Sequence, residues 1–364
     1  MSELDKLFEG VDVEWKTLAE VYKFQYGTGN TIPTSGGKYP VYGSNGVVGT
    51  HSEYNSEDSP VIGHIGAYAG IVNWGKGKHF VTYNGVICKL INENVNSIYA
   101  YYQLLKQDFN SMAKNSSQPF VSYKELNEVK IPIPPIPIQK EIARILNTFT
   151  ELTAELTAEL TARKKQYSYY REQLLSFEEG EVEWKMLGEV TEVNTGQKPS
   201  VIFEKPKSFD YINAGTTRSG YCEISNCQGD VVTTPSRGQG GIGFVGYQPN
   251  PFWLGPLCYK IKSLNVSILL NKFLFYYLQY DNNLILGLKK EGGVPAVNKS
   301  DLIKILIPIP PIEEQERIVT ILDKFDILTT SISEGLPKEI ELRKKQYEYY
   351  RALFLTFHKN NIES

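Results

Sequence analysis

Six residues, GIGFVG at 241–246, have the G-x-G-x-x-G spacing by which a glycine turn brings backbone amides up to a dinucleotide or to S-adenosylmethionine. That chemistry needs a strand before the turn and a helix after it. Here TTPSRGQG precedes and YQPNPFW follows, so the run reads as a flexible glycine loop between strands. NPFW at 250–253 is one proline short of the N-P-P-Y type of adenine-methylation motif. No P-loop and no G-x-S-x-G nucleophile turn is present. His51, His64, His79 and His358 fall at no metal-ligand spacing on a helical pattern. Cys88, Cys222, Cys227 and Cys258 form no C-x-x-C pair and read as reduced thiols of a cytoplasmic protein. No apolar run reaches the roughly 18 residues of a membrane span, and MSELDKLFEG is too acidic for a signal peptide. No metal, no cofactor and no catalysis are expected in this chain itself.

What the loops do carry is hydrogen-bond donors beside glycines. GHIGAYAG at 63–70 offers His64 and Tyr68; SRGQGGIG at 236–243 offers Arg237 and Gln239, the two loops aligning with a one-residue gap. Asn45 lies in an SNG turn, Lys114, Asn115, Ser117 and Gln118 in KNSSQ, Thr217 and Arg218 in NAGTTRSG, and Lys289 and Lys290 in KKEGG. Arg and Lys suit guanine edges, Asn and Gln adenine edges, and Lys, Ser and Thr phosphate oxygens. The net charge of −3 does not advertise a polyanion partner, but it is unevenly spread. Residues 15–130 hold 10 Lys and Arg against 8 Asp and Glu, and residues 184–305 hold 13 against 9, whereas the remaining segments are net negative.

These loops sit in a chain that repeats itself. IPIPPIPIQKEIARIL at 131–146 returns as IPIPPIEEQERIVTIL at 307–322, EWKTLAEV at 14–21 as EWKMLGEV at 183–190, and ARKKQYSYYREQLLSF at 162–177 as LRKKQYEYYRALFLTF at 342–357. QPFVSYKEL at 118–126 has its partner in VPAVNKSDL at 294–302. Each copy is a globular block, a proline run and a long helix. In the first helix Ile138, Ile142, Ile145, Phe149, Leu152, Leu156 and Leu160 trace one apolar stripe, and Pro137 suits the first turn. That helix should run some forty residues to about Phe177, roughly 60 Å. The second, from about Ile312 to Phe357, should break near Gly335 and Pro337. Two one-sided helices related by an internal two-fold are expected to pack antiparallel. TELTAELTAELTA at 150–162 steps by four residues, drifts around a 3.6-residue helix, and reads as a spacer. The blocks, rich in Gly, Tyr, Val and Thr, carry short strand patterns and one helix each, at 97–109 and 271–281.

The doubled proline motif, the RKKQYxYYR helix ends, the EWKxLxEV block starts and the TAEL repeats together resemble the DNA-specificity subunit of type I restriction-modification systems. The expected fold is therefore α+β: two α/β target recognition domains, at 1–130 and 181–305, separated by two long antiparallel helices at 131–180 and 306–364, a coiled-coil spine with an internal pseudo-two-fold repeat. The resemblance implies that each recognition domain reads half of a bipartite, asymmetric site in double-stranded DNA. The spine would set the spacer and dock two modification (methyltransferase) subunits, with Gln139, Arg144, Gln315, Arg317, Arg163, Lys164, Arg343 and Lys344 as the docking residues. Two restriction subunits would join for cleavage. S-adenosylmethionine, ATP and Mg would be bound by those partners, and this chain would be non-catalytic. A methyltransferase or fused restriction enzyme would need a cofactor loop and a proline-proline-aromatic motif, both missing. A scaffold without a DNA role would leave the two basic blocks without a purpose.

Overall fold

The two copies of the repeat fold into matching successions of elements. The computed structural model describes residues 11–30, 32–33, 35–112, 119–178, 180–290, 294–331 and 333–357. The first copy runs β1 (Glu14–Thr17), α1 (Leu18–Val21), β2 (Tyr22–Tyr26), β3 (Tyr39–Gly43), β4 (Gly46–His51), β5 (Ser56–Gly63), β6 (Val72–Val81), β7 (Gly85–Leu90), α2 (Ser97–Lys106), α3 (Tyr123–Glu128), β8 (Lys130–Ile133) and α4 (Ile136–Leu175). The second runs β9 (Glu183–Met186), α5 (Leu187–Val190), β10 (Thr191–Thr195), β11 (Phe209–Ile212), β12 (Gly220–Cys222), β13 (Val231–Pro235), β14 (Gly246–Gln248), β15 (Trp253–Leu254) and β16 (Cys258–Ser263). It continues with α6 (Asn271–Tyr280), α7 (Asn283–Leu286), α8 (Lys299–Leu302), β17 (Leu306–Ile309), α9 (Ile312–Thr330) and α10 (Gly335–Leu355). Packing groups Met1–Glu155 with Glu341–Ser364 as unit 1 and Leu156–Ile340 as unit 2, so the cuts fall inside α4 and α10.

In unit 1 six strands form one sheet in the order β2-β7-β5-β6-β3-β4, antiparallel except for the β3–β6 pair. In unit 2 the order β10-β16-β13-β14 repeats the first four positions, and β12-β11-β15 forms a separate small sheet. The EWK segment of each copy pairs antiparallel with that copy's proline run, Glu14 to Ile133 and Glu183 to Ile309. At the end of β1 the Glu20 carboxylate accepts from both the backbone and the hydroxyl of Thr17, a capping box that starts α1. Met186 stands where Thr17 stood and has no hydroxyl, so Glu189 receives only the backbone half of that box.

The proline run creates a backbone problem that one side chain solves. Prolines donate nothing, so the turn from strand to helix leaves carbonyls and neighbouring amides without partners. Gln139 is fully buried and uses its whole amide there. Its Nε2 donates to Pro134 O (2.7 Å) and Asn94 O (3.1 Å), and its Oε1 accepts from Asn96 N (2.8 Å). Gln315, also fully buried, makes the same three bonds to Pro310 O, Ile268 O and Leu270 N. These glutamines were expected on exposed docking faces; they are instead pins that tie each long helix to the loop before α2 or α6. A second tie joins helix to helix: the Tyr102 hydroxyl donates to Asn147 at 2.9 Å, and Tyr276 donates to Asp323 at the matching place.

Each unit contains an antiparallel helix pair. In unit 1, Phe354 and Leu355 at the end of α10 share a core with Ile142 and Leu146 near the start of α4. Earlier in α10, Tyr350 stacks on Phe149, further along α4, at 5.3 Å. In unit 2, Leu175 shares a core with Ile318 and Leu322, and Tyr167 and Tyr170 stack on Phe325 further along α9. α9 ends at Thr330 and α10 opens on a left-handed Gly335 (φ +74°), the break expected there. The expected stripe is buried unevenly: Ile142 is fully covered, Leu152 is 38 % exposed, and Leu156 and Leu160 are half-buried. The four cysteines are free and buried, and burial raises the thiol pKa of Cys88 and Cys258, the latter to about 12. Among the described residues no helix is long and apolar enough to cross a membrane.

Substituting Gln315 by Leu leaves a buried amide N–H and two buried carbonyls unpaired. The free energy of unfolding should fall by about 2–4 kcal/mol, seen as an earlier denaturant midpoint, and Gln139→Leu should act alike. His79 is fully buried, with Nδ1 2.8 Å from Gly77 O, and desolvation lowers its pKa. The unfolded chain then binds the proton more readily, so stability is complete above the ordinary histidine pKa and declines as pH falls through it. Urea midpoints measured from pH 8 to 5 should drop below about pH 6.5, and His79→Gln should flatten that drop.

Candidate nucleic-acid interface

Two glycine loops, one in each unit, are held by the same backbone contacts. In unit 1, Val121 N donates to His64 O (3.0 Å), Gly66 N donates to Pro119 O (2.8 Å), and Ile65 bridges Phe120. In unit 2, Val297 N donates to Ser236 O (2.9 Å), Gly238 N donates to Pro295 O (3.1 Å), and Arg237 bridges Ala296. The clamping segments are the repeated PFV and PAV stretches. The second loop is further fixed by close packing: a side chain at Gly241 would meet Ala214 O at 2.1 Å, and one at Gly243 would meet Leu286 at 2.5 Å. Gly241 and Gly243 belong to GIGFVG, which lies between β13 and β14 with no helix behind it. Its glycines serve neighbouring backbone and side chains, a geometry that does not fit a phosphate cradle. Among the described residues no cluster of three metal-ligating side chains occurs.

The expected contact residues separate into four groups. Asn45, Tyr68, Thr217, Arg237, Gln239 and Lys289 are exposed, Tyr68 by 49 %. Arg218 and Lys290 are exposed but ion-paired, Arg218 with Asp210 (3.0 Å) and Lys290 with Asp301 (2.9 Å). The Lys290 ammonium draws the Asp301 pKa down, and the Asp210 carboxylate raises that of Arg218. His64 is a correction: it is buried, its Nδ1 lies 2.8 Å from Val121 O, and its ring packs 4.4 Å from Tyr26. It builds the loop and is not presented by it. Lys114, Asn115, Ser117 and Gln118 lie outside the described residues.

The remaining expected docking residues are on helix surfaces. Arg144 and Arg317 each hold a glutamate three residues earlier, Glu141 and Glu314, at 2.6 Å. Arg163 pairs with Glu159 at 2.7 Å, Arg343 donates to Gln346, and Lys164 and Lys344 are exposed. In unit 2 a groove of about 420 Å³ brings Arg163, Gln166 and Tyr170 of α4 beside Arg317, Ile321 and Phe325 of α9. Sequence reasoning missed Lys272 and Phe244, which with Thr217 and Arg218 line a cleft of about 580 Å³ in the same unit. Lys272 sits 4.3 Å from the Tyr247 ring and 3.3 Å from Asp323. The signal available was a lysine opening an aromatic-rich helix.

A family model for the type I restriction modification DNA specificity domain matches residues 10–163 and 179–342. The chain is 35 % identical over 403 residues to the specificity subunit of the type I restriction enzyme EcoR124I/EcoR124II of Escherichia coli, covering 99 % of this chain and 98 % of that one. It is 32 % identical to a putative type I restriction enzyme specificity subunit of Haemophilus influenzae, covering 97 % and 98 %. Its fold matches a crystal structure of the type I restriction-modification system S subunit from M. genitalium with a TM-score of 0.73, 19 % identity, and coverage of 96 % and 98 %.

Because His64 builds the loop, His64→Ala should lower the melting transition of unit 1, costing about 2–4 kcal/mol through lost packing and an unpaired Val121 carbonyl. Tyr68→Ala, at an exposed position, should change stability by about 0.5 kcal/mol or less. Thermal or denaturant unfolding of the two variants separates the roles.

Proposed function

The chain belongs to the family of type I restriction-modification DNA specificity subunits, and from that premise we propose that it is the sequence-reading, non-catalytic subunit of such a complex. Residues 1–130 and 181–305 act as the two target recognition domains, each reading half of a bipartite, asymmetric site in double-stranded DNA. Residues 131–180 and 306–364 set the spacer and dock the partner subunits. The observation that carries this reading is duplication with divergence: both units keep the same glutamine pin and the same clamped loop, while the exposed loop residues differ. A protein binding two copies of one ligand would have no use for that difference; one reading two unlike half-sites would.

Asn45, Tyr68, Thr217, Arg237, Gln239 and Lys289 face DNA in this reading. Arg218 and Lys290 can exchange Asp210 and Asp301 for phosphate, since exposed ion pairs are worth little. Lys114, Asn115, Ser117 and Gln118 join them on residue type alone. Arg144, Arg163, Lys164, Arg317, Arg343 and Lys344 offer charged helix surface to two modification subunits, and two restriction subunits complete the cleaving form. Those partners bring S-adenosylmethionine, ATP and Mg, and the complex works in the cytoplasm, where its DNA is.

Adenine methylation mapped by single-molecule sequencing tests this, in cells carrying the modification subunit with or without this chain. One split consensus should appear only when the chain is present. Inserting one further TAEL, about 6 Å of helix, should lengthen the unread gap by one or two base pairs and leave both halves unchanged. Purified alone, the chain should transfer no labelled methyl group, and its DNA binding should weaken steeply with salt.

A further inference from the structure

The shared clamp allows the two loops to be matched residue by residue. His64 and Ser236 are both buried, and their carbonyls receive the equivalent Val121 and Val297 amides. One residue on, Ile65 and Arg237 make the equivalent bridges to Phe120 and Ala296. Gly66 and Gly238 follow, held by Pro119 and Pro295. Ile65 and Arg237 therefore occupy one structural position, filled by an apolar residue in unit 1 and by a cation in unit 2.

We propose that this position reads a base in each half-site, and that Arg237 reads a guanine in the half belonging to unit 2. The proposal rests on the DNA-reading function above and adds a residue and a base to it. Arg237 is exposed and has no hydrogen-bond or ion-pair partner among the described residues, whereas the other arginines are engaged. Arg144, Arg163, Arg218 and Arg317 hold carboxylates, Arg343 holds Gln346, and Arg171 and Arg351 lie over tyrosine rings. Its backbone is also fixed. Ser236 N donates to Leu257 O, Ser236 O accepts from Val297 N, and the left-handed Gly238, Gly240 and Gly243 admit the tight path that follows. A fixed backbone with an unpaired planar fork is what bidentate contact to guanine O6 and N7 needs, because little ordering is left to do on binding. Ile65 has no donor and offers only apolar surface, which suits the thymine methyl. The position thus makes the two halves chemically unlike.

The test uses the full chain assembled with its modification subunits, on duplexes varied one position at a time through both halves. The wild type should require guanine at a position in one half. Arg237→Ala should lose that requirement, cutting discrimination there on the order of tenfold to a hundredfold, with the other half and the melting temperature unchanged. Arg237→Lys keeps the charge without the fork and should restore only part of it. Ile65→Arg should bring a guanine preference into the opposite half. A consensus indifferent to Arg237→Ala overturns the assignment. So does weakening that is uniform across sequences with a salt slope reduced by about one, the mark of a phosphate contact. A wild-type complex with no sequence preference overturns the DNA-reading function itself, and the assignment with it.

Discussion

A proline-rich strand cannot close its own backbone, and everything in each unit is arranged around the side chain that closes it. The buried amides of Gln139 and Gln315 join three separate pieces of chain: the proline run, the start of a long helix, and the loop leading into the helix of the globular block. Because both carbonyl and amino ends of the group are satisfied, the joint has a single geometry. An amide left half-bonded in such a place would cost more than an apolar residue there. The direction in which each long helix leaves its block is set at that joint. The Tyr102–Asn147 and Tyr276–Asp323 contacts, about two turns further on, secure it again.

With that joint in both units, the outward loops are free to differ. The backbone bonds that clamp 64–66 and 236–238 involve no side chain of the tip residues, so isoleucine or arginine can stand there without altering the frame. The bonds of the frame and the side chains at the loop tips are thus chemically separate. Glycine is required at the points of closest approach, as at Gly241 against Ala214, while Arg237 and Gln239 between the glycines are exposed. At the loop edges the exposed pairs Asp210–Arg218 and Asp301–Lys290 add little to stability.

Local pattern made much of the fold legible. The doubled proline motif, the 3.6-residue stripe near Ile142 and the Gly335 break depend on neighbours within a few residues, and each stands where the sequence places it. Gln139, Gln315 and His64 were misplaced for the opposite reason. Their partners, Asn94, Ile268 and Val121, lie 45, 47 and 57 residues away, and a polar residue beside charges or glycines looks solvated until that partner is known. The match of Ile65 with Arg237 was hidden because the loop sequences align only with a gap; the backbone bonds, not the side chains, define it.

All four thiols are buried, and burial holds those of Cys88 and Cys258 protonated, so none is a ready target for an alkylating dye. One cysteine placed at an exposed helix position such as Glu155 would therefore be the sole reactive handle on an otherwise native background. Fluorophores or spin labels could then be attached without first stripping the protein of its own sulfur, and the motions of the assembled machine followed by resonance energy transfer.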